Sequence, residues 1–209
     1  MAINLIKGQR VEIESNLSRL VVEMGWNVNP NADPPYDLDA STFLLGNSGQ
    51  IENEADFVFY GSTNIIVING ETHPCSLDKS VIGSIDDPGY YHDDKVEGNE
   101  EIEVDLTKTS DSVREILFTV SIYWNPTNIN DPRRKYNFGQ VRDAFIQIKN
   151  AVTGDVICRY DLDEDFSTDK GVEFGRLYRR GSEWKFQAVG EAHPDGLEPI
   201  CRKYASKFM

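Results

Sequence analysis

Asp37-Leu38-Asp39-Ala40-Ser41-Thr42-Phe43-Leu44-Leu45 is the stretch on which the reading of this chain turns. Residues 38 to 45 read as a strand, closed by the turn formers Gly46-Asn47-Ser48-Gly49. In an extended strand alternate side chains share a face. Asp37 and Asp39 therefore project together, their Cα atoms roughly 6.6 Å apart by strand rise. Leu38 points the other way, into a core. Carboxylates crowded beside buried strands repel one another and raise each other's pKa. A hard cation with many oxygen ligands, calcium above all, removes that penalty.

Working outward, the pattern is mostly β. Val11 and Ile13 alternate with Glu12 and Glu14 as in a half-buried strand. Leu20 to Met24 reads as a strand ending at Gly25-Trp26, followed by a turn-rich loop over 27–35. Phe57 to Tyr60, Ile102 to Leu106 and Glu115 to Trp124 carry further strand character, and Ile65 to Ile68 suggests a short strand of its own. Val152-Thr153-Gly154-Asp155 joins Ala144–Lys149 to Val156–Tyr160 in a hairpin. Arg180-Gly181-Ser182-Glu183 joins Leu177–Arg179 to Trp184–Val189 in another. The period then changes: Leu197, Ile200, Cys201, Tyr204 and Phe208 recur at helical spacing. The expected fold is mainly β, a β-sandwich of two antiparallel sheets with a C-terminal α-helix. It forms a single domain over 1–209, with long loops at 61–99 and 125–135.

Composition excludes several classes. The 209 residues are 39% apolar, enough for a substantial core. With 35 acids against 21 bases the formal net charge is -14, which argues against nucleic acid, whose phosphates need clustered Lys and Arg. Arg133-Arg134-Lys135 is the notable basic run and reads as a solvated loop. Cys75, Cys158 and Cys201 lie far apart without zinc spacing, and an odd, sparse count fits free thiols in a reducing cytosol. No segment has the apolar length of a membrane span or of a signal-peptide core. A cytoplasmic location is expected.

Two further acidic clusters follow Asp37 and Asp39. Residues 86–105 hold Asp86, Asp87, Asp93, Asp94, Glu97, Glu100, Glu101, Glu103 and Asp105 against Lys95. Folded across Asp37 and Asp39, such a loop would supply the roughly six to eight oxygens calcium takes. The alternative is a solvated loop kept expanded by its own charge. The third cluster, Asp161-Leu162-Asp163-Glu164-Asp165, starts like an EF-hand loop. Phe166 then stands where the sharp turn needs Gly, and Val172 where the bidentate Glu belongs, so an EF-hand is rejected. Asp163 and Asp165 are left as candidates for a non-helical second site.

Taken in order, these stretches resemble the TerD-domain proteins, the tellurium-resistance and general-stress proteins of bacteria. The matching motifs are Gly25-Trp26, Asp37-Leu38-Asp39-Ala40-Ser41, Asp56-Phe57-Val58-Phe59-Tyr60 and Asn137-Phe138-Gly139-Gln140-Val141-Arg142-Asp143-Ala144-Phe145. They continue through Tyr160-Asp161-Leu162, Glu164-Asp165-Phe166-Ser167-Thr168, Gly175, Leu177-Tyr178-Arg179 and Glu183-Trp184-Lys185-Phe186, covering nearly the whole chain. The resemblance implies a calcium-binding β-sandwich without catalytic activity. It implies a cytoplasmic stress protein that acts with other Ter-type proteins at the inner membrane face and has scope to form a homo-oligomer. Carried over by position, Asp37 and Asp39 are Ca2+ ligands, and Asp93, Asp94 and Glu100 are chosen from the family's second ligand segment. The chain departs from the family pattern at Asn27, where members carry Asp, at Gly98-Asn99, at Asp169-Lys170, and at Tyr123-Trp124 with the insertion 125–135 after it.

Two other functions compete. A metal-dependent hydrolase would use the acids to hold a catalytic ion, but no nucleophile, base and oxyanion donor can be assigned. A metal-independent assembly module would use the 61–99 and 125–135 segments and exposed strand edges as contact surfaces.

Overall fold

The computed structural model of the chain describes residues 2–27, 31–34, 36–85, 97–125, 127–164 and 166–209. Along them run strands β1 (Ile3–Leu5), β2 (Arg10–Ile13), β3 (Arg19–Asn27), β4 (Leu38–Leu45), β5 (Phe57–Val58), β6 (Ile65–Ile68) and β7 (Glu71–Pro74). They continue with β8 (Val81–Ile82), β9 (Glu97–Asp105), β10 (Glu115–Ile122), β11 (Arg142–Asn150), β12 (Val156–Asp161), β13 (Gly171–Arg180) and β14 (Glu183–His193). Helix α1 (Leu197–Tyr204) closes the chain, followed by a 3-10 turn over Ser206–Phe208.

The strands form two six-stranded sheets, ordered β1-β12-β11-β3-β9-β8 and β2-β14-β13-β10-β4-β5, plus the hairpin β6-β7. Every pairing is antiparallel except β1 with β12. Period-two alternation sets which face each residue takes. Leu20, Val22 and Met24 of β3, Ile146 and Ile148 of β11, and Ile116, Phe118 and Val120 of β10 are fully buried and share one core. On β4, Leu38 and Leu44 join that core. Phe43 and Leu45 take the opposite face, with Leu117 of β10, and form a second apolar cluster under Ile200 and Ala205. The amphipathic period of α1 is thus answered by an apolar row on the outer face of the second sheet.

The expected sandwich and terminal helix are present, and β4 and β6 have the bounds read from sequence. Other elements differ. The segment expected as one long loop over 61–99 contains β6, β7 and β8, and β9 begins at Glu97. Its hairpin turns at Asn69-Gly70, both with positive φ (53° and 91°), the geometry an Asn-Gly turn favours. β7, Glu71-Thr72-His73-Pro74, has no apolar alternation to reveal it. β9 is longer than its apolar half, because Glu97 to Glu101 pair with Asn27 to Glu23 of β3. Glu101 there lies opposite Glu23, a repulsive pair. The ammonium of Lys149 from β11 bridges Glu23 and Glu101 and offsets it. Gly25 has its own reason to be glycine. A Cβ there would lie 2.4 Å from the Phe145 ring, too close for any side chain.

Ile200 is fully buried where α1 meets the second sheet. Ile200→Ala should therefore cost about 2–5 kcal/mol of unfolding free energy, the range for a large-to-small change in a packed site. Urea denaturation measures it, and an unchanged midpoint would show that α1 adds no core.

Candidate metal centres

The outer face of the second sheet is unusually polar for a buried surface. Its register aligns Ser41 of β4 with Thr119 of β10, Thr119 with Glu173 of β13, and Glu173 with Glu191 of β14. The next row runs Asp39, Ser121, Gly171, His193. Asp39, Ser41, Thr119, Ser121 and Glu173 are all buried. The apolar row at Phe43 and Leu117 lies beside these two polar rows, and α1 spans the boundary.

At one end of the rows sits a carboxylate–imidazole cluster. One ligand atom each from Glu173, Glu191 and His193 lies within 4.8 Å of the others. Glu173 is only 2% exposed. A buried carboxylate needs compensation, and α1 supplies it. Lys203 Nζ donates to Glu173 Oε1 at 3.0 Å and to Glu191 Oε1 at 2.9 Å. Tyr204 OH donates to Glu173 Oε2 at 2.9 Å, and His193 Nε2 lies 2.9 Å from Glu173 Oε1. Burial pushes the Glu173 pKa up, but the hydrogen bonds from His193, Lys203 and Tyr204 outweigh it and hold the group below its ordinary value. Burial raises the Tyr204 pKa to about 12, with the Glu173 charge adding to it. Sequence reading missed this cluster, because Glu173 comes from a different strand than the pair Glu191 and His193, and its cation Lys203 from the helix.

At the other end of the rows are Asp39 and Ser41 of β4. Asp39 of β4 and Glu100 of β9 line one cavity of about 20 Å³, together with Ser84 and the aromatic rings of Phe59 and Tyr60. It lies at the open edge of the sandwich, where β4 and β5 of one sheet face β8 and β9 of the other. Glu100 has the parity of Ile102 and Val104, which point into the inter-sheet core, so its side chain is directed between the sheets. The volume admits about one water-sized sphere. Its side-chain donors are hard oxygens, which suit calcium or magnesium and not zinc.

Of the other expected ligands that are described, Asp37 and Asp163 do not line that cavity. Asp37 is held by a guanidinium: Arg133 Nη1 donates to Asp37 Oδ2 at 3.1 Å. Arg133 is fixed in turn by Asp131, which it meets at 3.1 Å, and by its place over the Tyr123 ring, 5.3 Å from the centroid. The Asp131 carboxyl is lowered to about 2, chiefly by its Arg133 hydrogen bonds. The run Arg133-Arg134-Lys135 is accordingly not a plain solvated loop, because a 3-10 turn over Pro132–Lys135 turns Arg133 inward. Asn27 Nδ2 donates to Asp143 Oδ2 at 2.8 Å. An Asp at position 27 would repel that carboxylate, so the amide has a structural role here. Asp163 is exposed in the loop after β12 and does not line the Asp39 cavity. Asp93, Asp94 and Asp165 lie outside the described residues.

A two-sheet β-sandwich carrying acidic side chains at the edge of one sheet and on its outer face defines the class of this protein. The family model for the TerD domain matches residues 1–204. The chain is 32% identical over 207 residues to tellurium resistance protein TerD of Serratia marcescens, covering 98% of this chain and 97% of that one. It is 34% identical over 212 residues to general stress protein 16U of Bacillus subtilis, covering 98% and 97%. A solved structure of a telluride resistance protein (TerD) homologue from Streptomyces coelicolor superposes with a TM-score of 0.62 at 15% identity, over 91% of this chain and 97% of that chain. The chain belongs to the TerD domain family. Among its described residues no helix is long and apolar enough to cross a membrane.

The Lys203 clamp is open to test. Lys203→Met leaves Glu173 short of its main counter-cation. Because Lys203 is 41% exposed, the cost should be about 1–3 kcal/mol at pH 7, below that of a fully buried pair. Glu173 has a lowered folded pKa, so its stabilisation is present above the ordinary 4.5 and lost as pH falls below it. The stability gap between parent and Lys203→Met should therefore narrow on acidification from pH 7 to pH 4, measured by urea denaturation. A gap constant with pH would remove Glu173 from the account.

Proposed function

We propose that this protein is a calcium-binding stress-response protein that acts through metal-stabilised contacts with other proteins and not by catalysis. The observation that supports this reading is that Asp39 of β4 and Glu100 of β9, acids from the two different sheets, both line one small cavity at the sandwich edge. Calcium at that edge would be held by these two carboxylates and would offset the repulsion between them. The names of the relatives, a tellurium resistance protein and a general stress protein, support a role in stress response. The net charge of -14 makes divalent cations natural mediators between this surface and an acidic partner or an anionic inner membrane face. On this reading the protein is cytoplasmic, its partners are other Ter-type stress proteins, and it binds no nucleic acid.

A second reading, a metal-independent assembly module, is favoured by one specific observation. Asp37 is neutralised by Arg133, and Glu173 with Glu191 by Lys203, so side-chain cations already occupy two of the places where an ion would be expected.

Calorimetric titration of chelator-treated protein separates the readings. Saturable binding of calcium over magnesium, with a rise in melting temperature, is expected for the parent by linkage. Asp39→Asn and Glu100→Gln should each lower the affinity at least about tenfold, one charged ligand being worth of order 1.4 kcal/mol or more. Asp37→Asn should have the smaller effect, since its carboxylate is engaged by Arg133. Parent protein that takes up no calcium would leave the assembly-module reading.

A further inference from the structure

The Glu173, Glu191 and His193 cluster is not explained by a calcium role. It stands across the second sheet from Asp39, two strands away at Glu173 and three at His193, or about 10–14 Å at the usual strand spacing. Its donors also differ in kind. One imidazole nitrogen with two carboxylate oxygens suits a borderline divalent ion such as zinc or cobalt, whereas calcium takes oxygens.

The three side chains are held ready by the sheet. Glu173 and Glu191 are directly paired across β13 and β14, and His193 follows Glu191 by two residues on the same face. With their ligand atoms within 4.8 Å of one another, modest side-chain rotation brings all three onto one ion at about 2.0–2.2 Å. The place already binds a cation. The Lys203 ammonium sits 3.0 Å from one carboxylate and 2.9 Å from the other. Lys203 is a half-exposed side chain on the last turn of an eight-residue helix, whereas Glu173 is a buried group in the middle of a sheet. Of the two, the ammonium is the partner that can leave.

We propose that Glu173, Glu191 and His193 form a transition-metal site, distinct from the calcium cavity, which in the resting fold is filled by the Lys203 ammonium. A divalent ion and the last turn of α1 then compete for one place. When the ion binds, His193 coordinates through Nε2 with its ring proton on Nδ1, and each carboxylate gives one oxygen. Lys203 swings to solvent, and Tyr204 loses Glu173 Oε2 as a fixed acceptor. The C-terminal segment that this would loosen walls a cavity of about 510 Å³ with Cys201, Ala205, Phe208 and Met209, against Phe57 and Phe59.

Cobalt titration of the full chain, followed by visible absorption, tests the proposal. Lys203→Met should bind one Co2+ per chain at least about tenfold tighter than the parent, the size of effect that groups around a metal site exert on affinity. Its spectrum should show d–d bands of nitrogen and oxygen ligands without a thiolate charge-transfer band. Adding His193→Ala to Lys203→Met should abolish the binding, while calcium titration of Lys203→Met should match the parent. Equal cobalt affinity in Lys203→Met and parent overturns the proposal. So does a thiolate band, which would assign the metal to cysteine, or tight binding that survives loss of His193. Should Lys203→Met fail to fold, the parent at high cobalt decides: weak binding lost in His193→Ala supports the site, and weak binding indifferent to His193 overturns it.

Discussion

A carboxylate placed on a buried strand has to meet a positive charge, and much of this structure follows from that constraint. Transfer of an unpaired carboxylate from water costs several kcal/mol. The chain nevertheless buries Glu173 at the centre of the second sheet and sets Glu23 opposite Glu101 in the first. Each is answered by a side-chain cation from a different element: Lys203 from α1, Lys149 from β11. Asp37 and Asp131 are answered together by Arg133. These pairs hold elements that are distant in sequence. The last turn of α1 leans on β13 and β14 through one ammonium, and the 125–135 insertion is tied to the start of β4 through one guanidinium.

The acidity of the chain therefore has two components. Much of the charge of -14 is solvated surface. A smaller set is partly or wholly buried and specific, and its members differ in what stabilises them. Where a lysine or arginine reaches the acid, the fold is closed by the protein itself. Asp39 and Glu100 both line a small cavity at the sandwich edge. Asn27, too, is placed by a pairing within the fold. The amide there serves Asp143 in the β3–β11 pairing.

An aromatic ladder joins the two ends of this arrangement. Tyr204 of α1 packs against Phe43, Phe43 stacks on Phe57, Phe57 on Phe59, and the series continues through Tyr60 to Tyr123, over which Arg133 lies. Ring contacts of this kind add roughly 0.5–1.5 kcal/mol each beyond their buried area. The ladder also gives a continuous packed path between the helix clamp and the Asp37 pair, passing the Asp39 cavity at Phe59 and Tyr60.

The sequence by itself determined the sandwich, the terminal helix and the family. The apolar run over residues 38–45, closed by turn formers, and helical spacing from Leu197 to Tyr204 are local patterns, and local patterns survive in a one-dimensional reading. It also singled out Asp39, because charge inside an apolar run is visible without a fold, whereas Glu100 was drawn from the family resemblance. Short strands such as β7 and β8 were illegible, since their pairing comes from a turn and a neighbour and not from their own composition. The partners of the acids were illegible as well. Nothing in the spacing of Arg133 from Asp37, or of Lys203 from Glu173, indicates contact. Those pairings depend on sheet register and on where a helix docks, which are set only when the two sheets close on their common core.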